Sequence, residues 1–408
     1  MRYAVLFAAA MLVCPGCAFK DDTPRAKVSN NLQTLEDARL ASAKQEPANA
    51  QSIGDIKPVA LFTGPMPTGV AVSHSGRIFV NFPRWGDPVE FTVAELGDGK
   101  AVAYPDLKFN KLDTDHVDRC VVSVQSVVVD AKDRLWILDT GSINFQPPKP
   151  AAAKLLCYDL VTNQQIKRID FPSDVCLQST YLNDVRFNLD LGEEGTAFIT
   201  DSSDHGPNGI IVVDLKTGKS MRRLNDHPST KADEKFVSTV EGEALMARSP
   251  GKPEAFLKMG SDGIAISPDG KTLYYCPLAS RGIYRVSTDA LADRNKSDDE
   301  VARTVKELPE RNYASDGLEC DSEGNLYLTD YEHNAIHRRN ADGGGDQIIA
   351  QDPRMIWPDS MSIGTDGYLY FTANQLNRQP RFHHGKDLRK QPYVLFQVHL
   401  GTQPVASR

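Results

Sequence analysis

Short runs of alternating apolar and polar residues fill most of this chain, and one arrangement recurs six times. A polar residue opens a short apolar strand, a turn rich in Gly, Asp or Asn follows, and a second apolar strand completes a hairpin. The copies begin at Thr68-Gly69-Val70-Ala71-Val72, Gln125-Ser126-Val127-Val128-Val129 and Asn183-Asp184-Val185-Arg186-Phe187. They continue at Asp262-Gly263-Ile264-Ala265-Ile266, Asp316-Gly317-Leu318-Glu319-Cys320 and Asp359-Ser360-Met361-Ser362-Ile363. Returning strands include Leu135-Trp136-Ile137-Leu138, Leu273-Tyr274-Tyr275, Leu326-Tyr327-Leu328 and Leu369-Tyr370-Phe371.

Third strands follow several hairpins, as in Lys154–Leu160, Gly209–Leu215, Gly282–Val286 and Tyr393–Val398. The repeat runs at about 57 residues, stretches across 225–260 and then shortens, a spacing expected for radially stacked sheets of three or four strands. Such sheets bury both faces against their neighbours. Six copies therefore predict an all-β fold, a six-bladed β-propeller over residues 56–400 with a short C-terminal tail at 401–408.

Before the first hairpin the pattern changes. Arg2 and the apolar run Ala4–Val13 read as an export signal over residues 1–17, too short to span a bilayer. It ends at Cys14-Pro15-Gly16-Cys17, where Cys17 is the expected lipidation site; ordinary signal cleavage is the alternative. Residues 18–55 are polar, without a strand pattern, and read as a flexible tether. These features place the protein in a bacterial cell envelope, periplasmic or anchored to the outer membrane, or otherwise secreted, with a lipid anchor as its only membrane contact. A net charge of −8 excludes a nucleic-acid partner. A monomer with a small-molecule partner is the expectation.

In a propeller the innermost strand of each blade lines a central channel, so the residues that open those strands converge on one mouth. Here they are Thr68, Gln125, Asn183, Asp262, Asp316 and Asp359, all polar and three of them carboxylic acids. Crowded carboxylates repel one another, so a cation or a shared proton is expected among them. Oxygen ligands of this kind suit Ca²⁺ or Mg²⁺. Asp184 and Asn374 complete the candidate ligand-binding set with Gln125, Asn183 and Asp359, and Asp262 and Asp316 are the candidate catalytic pair. Asp-Gly at a strand start is also ordinary turn chemistry. The long connections add Asp201, Asp204 and His205, a Pro-rich stretch at 141–153, and Arg378, Arg381, His383, His384 and Lys386 at 374–392.

Serine-hydrolase elbows, phosphate loops and zinc spacings are missing from the sequence. Five cysteines lie beyond the signal. Cys120 and Cys176 precede successive hairpins by similar lengths, and neighbouring lead-ins share a face, so a Cys120–Cys176 disulfide is expected in an oxidising compartment. Cys276 and Cys320 fall within strand patterns and read as small buried hydrophobes.

Several segments together resemble the yellow / major royal jelly protein family: Asp133–Gly141, Leu155–Leu160 running on to Phe171-Pro172, Leu273–Ser280, Asp330–Ile336, and Trp357-Pro358-Asp359 through Asn374-Gln375-Leu376. The resemblance implies a six-bladed propeller, and it leaves open nutritional, pigmentary (dopachrome tautomerisation) and amine-binding roles. The mouth is also similar to that of gluconolactonase / senescence-marker propellers, which set one Glu, two Asn and one Asp around a divalent metal. Blade by blade, Asn183 and Asp316 match that pattern, Asp262 replaces the other Asn, and Thr68 replaces the Glu. The metal set implied is thus Asn183, Asp262 and Asp316, with lactone hydrolysis or ring tautomerisation as the expected reactions. The alternatives are a binder of small amines or sugars and a protein-interaction scaffold.

Overall fold

The six repeats fold into six four-stranded antiparallel sheets in a computed structural model that describes residues 52–406 with the exception of Lys235. The export signal, Cys17 and most of the tether lie outside the described residues. Within each hairpin the register repeats from blade to blade. Val70 faces Val80, Val127 faces Ile137, Val185 faces Ile199, Ile264 faces Tyr275, Leu318 faces Leu328 and Met361 faces Phe371. These inner and second strands are buried on both faces, which is why they read as nearly continuous apolar runs. Neighbouring blades interlock through large side chains, such as Trp136 of the second blade, whose ring lies 4.8 Å from that of Phe187 in the third.

The sixth blade is composite. Its inner three strands are Pro358–Ile363, Tyr368–Ala373 and Tyr393–His399, and the outermost is Lys57–Phe62 from before the first hairpin. Lys57 pairs with Gln397 and Phe62 with Tyr393, so the ring is closed by hydrogen bonds between the two ends of the propeller. Ile53, within the stretch read as tether, already pairs with Gln351 of the fifth blade. In the tail, the Ser322 amide donates to Gln403 and Val405 is buried.

The strand starts are irregular in a way that matters for the mouth. Pairing between inner and second strands slips between Val124 and Ser126, Leu182 and Val185, Ser261 and Ile264, and Pro358 and Met361. Gln125, Asn183, Asp262 and Asp359 all sit in these bulges, which break the alternation of the strand and re-aim a side chain. The glycines that follow two of the acids serve a different need. A Cβ on Gly263 would lie 2.2 Å from the carbonyl oxygen of Asp316, and one on Gly317 would lie 2.3 Å from that of Asp359. Neither glycine has positive φ. The Asp-Gly pairs therefore record close approach of adjacent inner strands and not a turn.

The expected Cys120–Cys176 disulfide is absent: both thiols are free and buried. Cys120 Sγ turns toward the backbone of Asp113, within 3.4 Å of its amide nitrogen and 3.6 Å of its carbonyl oxygen. Cys176 instead packs in the apolar cluster between the second and third blades, where burial pushes its thiol up to about 12. Similar sequence offsets thus place the two sulfurs in different layers. Cys276 and Cys320 are buried within strands, as their patterns imply. No helix among the described residues is long and apolar enough to cross a membrane.

Candidate functional site

The second strand of a blade fixes the lead-in to its own inner strand. Asp139, at the end of one second strand, accepts the amides of Val122 at 2.7 Å and Ser123 at 2.8 Å and pairs with the fully buried Lys154 ammonium at 2.8 Å. This positions Gln125. Asp201 does the same for Asn183, taking the Tyr181 amide at 2.9 Å and the Thr180 hydroxyl at 2.9 Å while Arg222 neutralises it. In the fifth blade the Glu332 carboxylate accepts the Ala314 amide at 2.8 Å, ahead of Asp316. Asp201 is thus a structural anchor and not part of the mouth.

All six strand-opening residues are buried around the axis, and the three acids are only 5–7% exposed. On one side the chain of contacts is amide-based. Gln125 Nε2 donates to Asn183 Oδ1 at 3.0 Å, Tyr181 donates to Gln125 Oε1 at 3.1 Å, and Trp85 Nε1 donates to the Tyr181 hydroxyl at 2.7 Å. The Thr68 hydroxyl, in the Glu position of the lactonase pattern, accepts from Asn81 Nδ2 at 2.7 Å.

The acids occupy the other side. Trp357 Nε1 donates to Asp316 Oδ2 at 2.6 Å, and its ring stacks on Tyr331 with centroids 4.2 Å apart. Asn374 Nδ2 donates to Asp359 Oδ2 at 2.5 Å and also reaches the Pro67 carbonyl at 3.1 Å. Asp262 and Asp316 are hydrogen-bonded to each other. Burial, followed by the charges of Asp316 and Asp359, raises Asp262 well above the ordinary carboxylate range. Burial likewise raises Asp359, with the Asp316 charge second. Asp316 is pushed up by burial to about 6, its rise opposed by hydrogen bonds from Trp357 and Asp262. All three acids therefore hold their protons more tightly than an exposed carboxylate does, as expected when like charges share a dry site.

This bears on the metal. Among the described residues no group of three or more His, Cys, Asp or Glu side chains is arranged to hold an ion. In the implied set, Asn183 Oδ1 already accepts from Gln125, and the two acids are tied to each other and to Trp357. As arranged, the residues do not fit a divalent cation, because their oxygens are already engaged by Gln125, by Trp357 and by one another.

Aromatic and basic residues from the long loops roof the mouth. Trp85 stacks on Phe145 at 5.0 Å between centroids, and Phe145 lies 4.9 Å from Tyr181. Arg381 comes down from the 374–392 connection with its guanidinium 4.8 Å from the Phe145 centroid and 6.0 Å from that of Trp85. Sequence reasoning grouped Arg381 with other loop cations and passed over Trp85, Phe145, Tyr181 and Trp357. A signal was available for two of them, since Tyr181 and Trp357 each stand two residues before a strand-opening polar residue.

Asp184 is bonded into a separate set of partners, although its charge also raises all three mouth acids. It accepts from Ser126 at 2.6 Å and pairs with Arg186 at 2.9 Å, and Arg186 approaches Glu319 at 3.7 Å. This ionic layer leaves the channel about 10 Å³ for the centre of a water-sized sphere, room for about one solvent molecule. His383 Nε2 meets the Asn377 carbonyl at 2.9 Å, and His384 is exposed.

Fold and mouth together define a closed six-bladed propeller with a buried cluster of acid, amide and aromatic side chains around its axis. The chain belongs to the major royal jelly protein family, whose sequence model matches residues 122–404. Major royal jelly protein 1 of Apis mellifera is 31% identical over 228 residues, covering 52% of this chain and 48% of that protein. Protein yellow of Drosophila melanogaster is 27% identical over 282 residues, covering 65% and 46% respectively. The chain thus spans about half the length of the curated relatives it matches. Among solved structures, a luciferin-regenerating enzyme aligns with a TM-score of 0.51 at 13% identity, over 87% of this chain and 98% of that one. A protein described as a gluconolactonase candidate aligns with a TM-score of 0.52 at 11% identity, over 88% and 95%. At such identities these structures establish the shared fold alone.

Proposed function

We propose that the mouth is an active site for proton transfer within a small planar ring, a tautomerase or isomerase activity of the dopachrome type that proceeds without a metal. The observation that carries this reading is the Asp262–Asp316 pair, two buried, hydrogen-bonded carboxyls whose hold on protons is raised by burial, set close to aromatic rings. Tautomerisation requires a group that gives a proton to one ring atom and a group that takes one from another. An acid and a base with separated affinities, in a site poor in water, meet that requirement. Asp262 is the acid and Asp316 the base; Trp357 orients Asp316, and Gln125 and Asn183 contribute amide contacts to the ring substituents.

The test is decay of an aminochrome absorbance band with purified protein. Wild type should accelerate it, and Asp262→Asn and Asp316→Asn should each lower kcat by about 100-fold or more. Wild-type rates in both variants would end the reading. Ca²⁺ or Mg²⁺ assisting lactone hydrolysis is the competing expectation, because a cation would neutralise the same acids. Equilibrium dialysis should find no stoichiometric Ca²⁺ at the mouth; one Ca²⁺ lost in Asp316→Ala would favour the lactonase alternative. The export signal and Cys17 support a cell-envelope location for a monomer held to the membrane only by lipid. Mass spectrometry of the mature N-terminus tests this.

A further inference from the structure

Arg381 is a mouth residue whose chemistry the proton-transfer reading leaves unused. The short turn Pro380–Phe382 carries it. The Arg381 carbonyl accepts the Arg248 amide at 2.8 Å, the Arg248 carbonyl accepts the His384 amide at 2.9 Å, and the Phe382 side chain is buried. The turn is therefore clamped to the 247–255 segment. The guanidinium lies against three rings, Phe382 at 4.7 Å, Phe145 at 4.8 Å and Trp85 at 6.0 Å.

Its Nε and Nη2 are both buried and have no hydrogen-bond partner among the described residues. Those two atoms form a single edge of the guanidinium plane, with N–H bonds parallel and spaced to match the two oxygens of a carboxylate. Asp204 and Asp316 lie within its field, yet neither bonds to it. Leaving a buried cationic donor pair unmade is costly, so a native structure supplies a partner from outside the chain. Water meets part of that demand, but a planar anion meets both donors at once.

Resting on the mouth being the ligand site, we infer that its ligand is a small aromatic carboxylate, held by its carboxylate on the Nε–Nη2 edge of Arg381 with its ring toward Phe145 and Trp85. This orients the ring with its anionic end at the roof and its reacting atoms toward Asp262 and Asp316. It also disfavours amines, which would bring a positive charge to a buried guanidinium.

Tryptophan emission provides the assay, with three matched quenchers: 4-nitrobenzoate, neutral 4-nitrobenzyl alcohol and cationic 4-nitrobenzylamine. Nitrobenzoate should quench wild type saturably, and the neutral and cationic analogues should bind at least tenfold more weakly. Arg381→Gln should weaken nitrobenzoate at least tenfold and leave the alcohol unchanged. Calorimetric titration repeats the comparison without relying on emission. Should Arg381→Gln fail to fold, Arg381→Lys keeps the charge but loses the two-donor edge and should still weaken the carboxylate several-fold. Equal affinity for carboxylate and alcohol, no saturable nitrobenzoate binding, or wild-type affinity in a folded Arg381 variant would each overturn the inference. Asp262→Asn should bind nitrobenzoate as wild type does; wild-type turnover in that variant with saturable nitrobenzoate binding fails the proton-transfer reading alone, whereas lost turnover without saturable nitrobenzoate binding to wild type fails this inference alone.

Discussion

Replacing Asp316 with Asn removes a mouth acid that burial pushes up to about 6, and the consequence for stability can be worked through. In an unfolded chain an Asp titrates near 3.8, whereas burial pushes Asp316 to about 6 in the folded protein. A raised carboxylate means that the folded state holds its proton more tightly than the unfolded state. Its contribution is complete below pH 3.8 and is lost as pH rises through about 6. At 1.36 kcal/mol per pH unit, a shift of roughly two units amounts to about 3 kcal/mol. Asn cannot ionise, yet its side-chain oxygen still accepts from Trp357. The stability of Asp316→Asn relative to wild type should therefore increase by about 3 kcal/mol between pH 3.5 and 7.5. Removing the Asp316 charge also relieves Asp262 and Asp359, which acts in the same direction. Urea unfolding followed by tryptophan emission at half-unit pH steps measures this difference. Other carboxylates, such as Asp330 and Asp352, are lowered in the fold and lose stability in acid, but they cancel when variant and wild type are compared. A difference that stays flat within about 0.5 kcal/mol from pH 4 to 8 would show that Asp316 titrates as a solvated carboxylate, and the dry acid cluster would be wrong.

Three further outcomes are expected. Lys154→Met strands the fully buried Asp139 carboxylate and should cost about 3–5 kcal/mol in urea unfolding at pH 7, much of it recovered when Asp139→Asn is added. Gly317→Ala forces a methyl to within 2.3 Å of the Asp359 carbonyl oxygen and should destabilise by about 1–3 kcal/mol, whereas the same change at Gly97, where a Cβ meets nothing, should lack this steric cost. Unfolding without reductant should expose Cys120 and Cys176 to alkylation, read by peptide mass; resistance of both until reductant is added would restore the disulfide.

The blade hairpins were legible because strands buried on both faces need unbroken apolar runs, and their tight turns need Gly, Asp or Asn. The convergence of Gln125, Asn183, Asp262, Asp316 and Asp359 followed from blade geometry alone. Two things escaped. The glycines after Asp262 and Asp316 looked like turn residues, because sequence carries no record of the neighbouring blade's carbonyl oxygen. The roof escaped because Trp85, Phe145 and Arg381 stand on three long connections without periodicity, and only the closed ring brings them together. Lys57–Phe62 offered no hairpin partner nearby, since its partner strand is Tyr393–His399.

That last pairing has a consequence for how the molecule is made. During synthesis the Lys57–Phe62 segment emerges early and must wait, its backbone edge unsatisfied, until Tyr393–His399 leaves the ribosome. Five blades can assemble locally, but the circle locks only in one late, long-range event of the kind that slows folding. A permuted chain opened between two other blades would make that final blade an ordinary local meander and move the latch elsewhere, so its refolding rate would report how much of the barrier belongs to the seam.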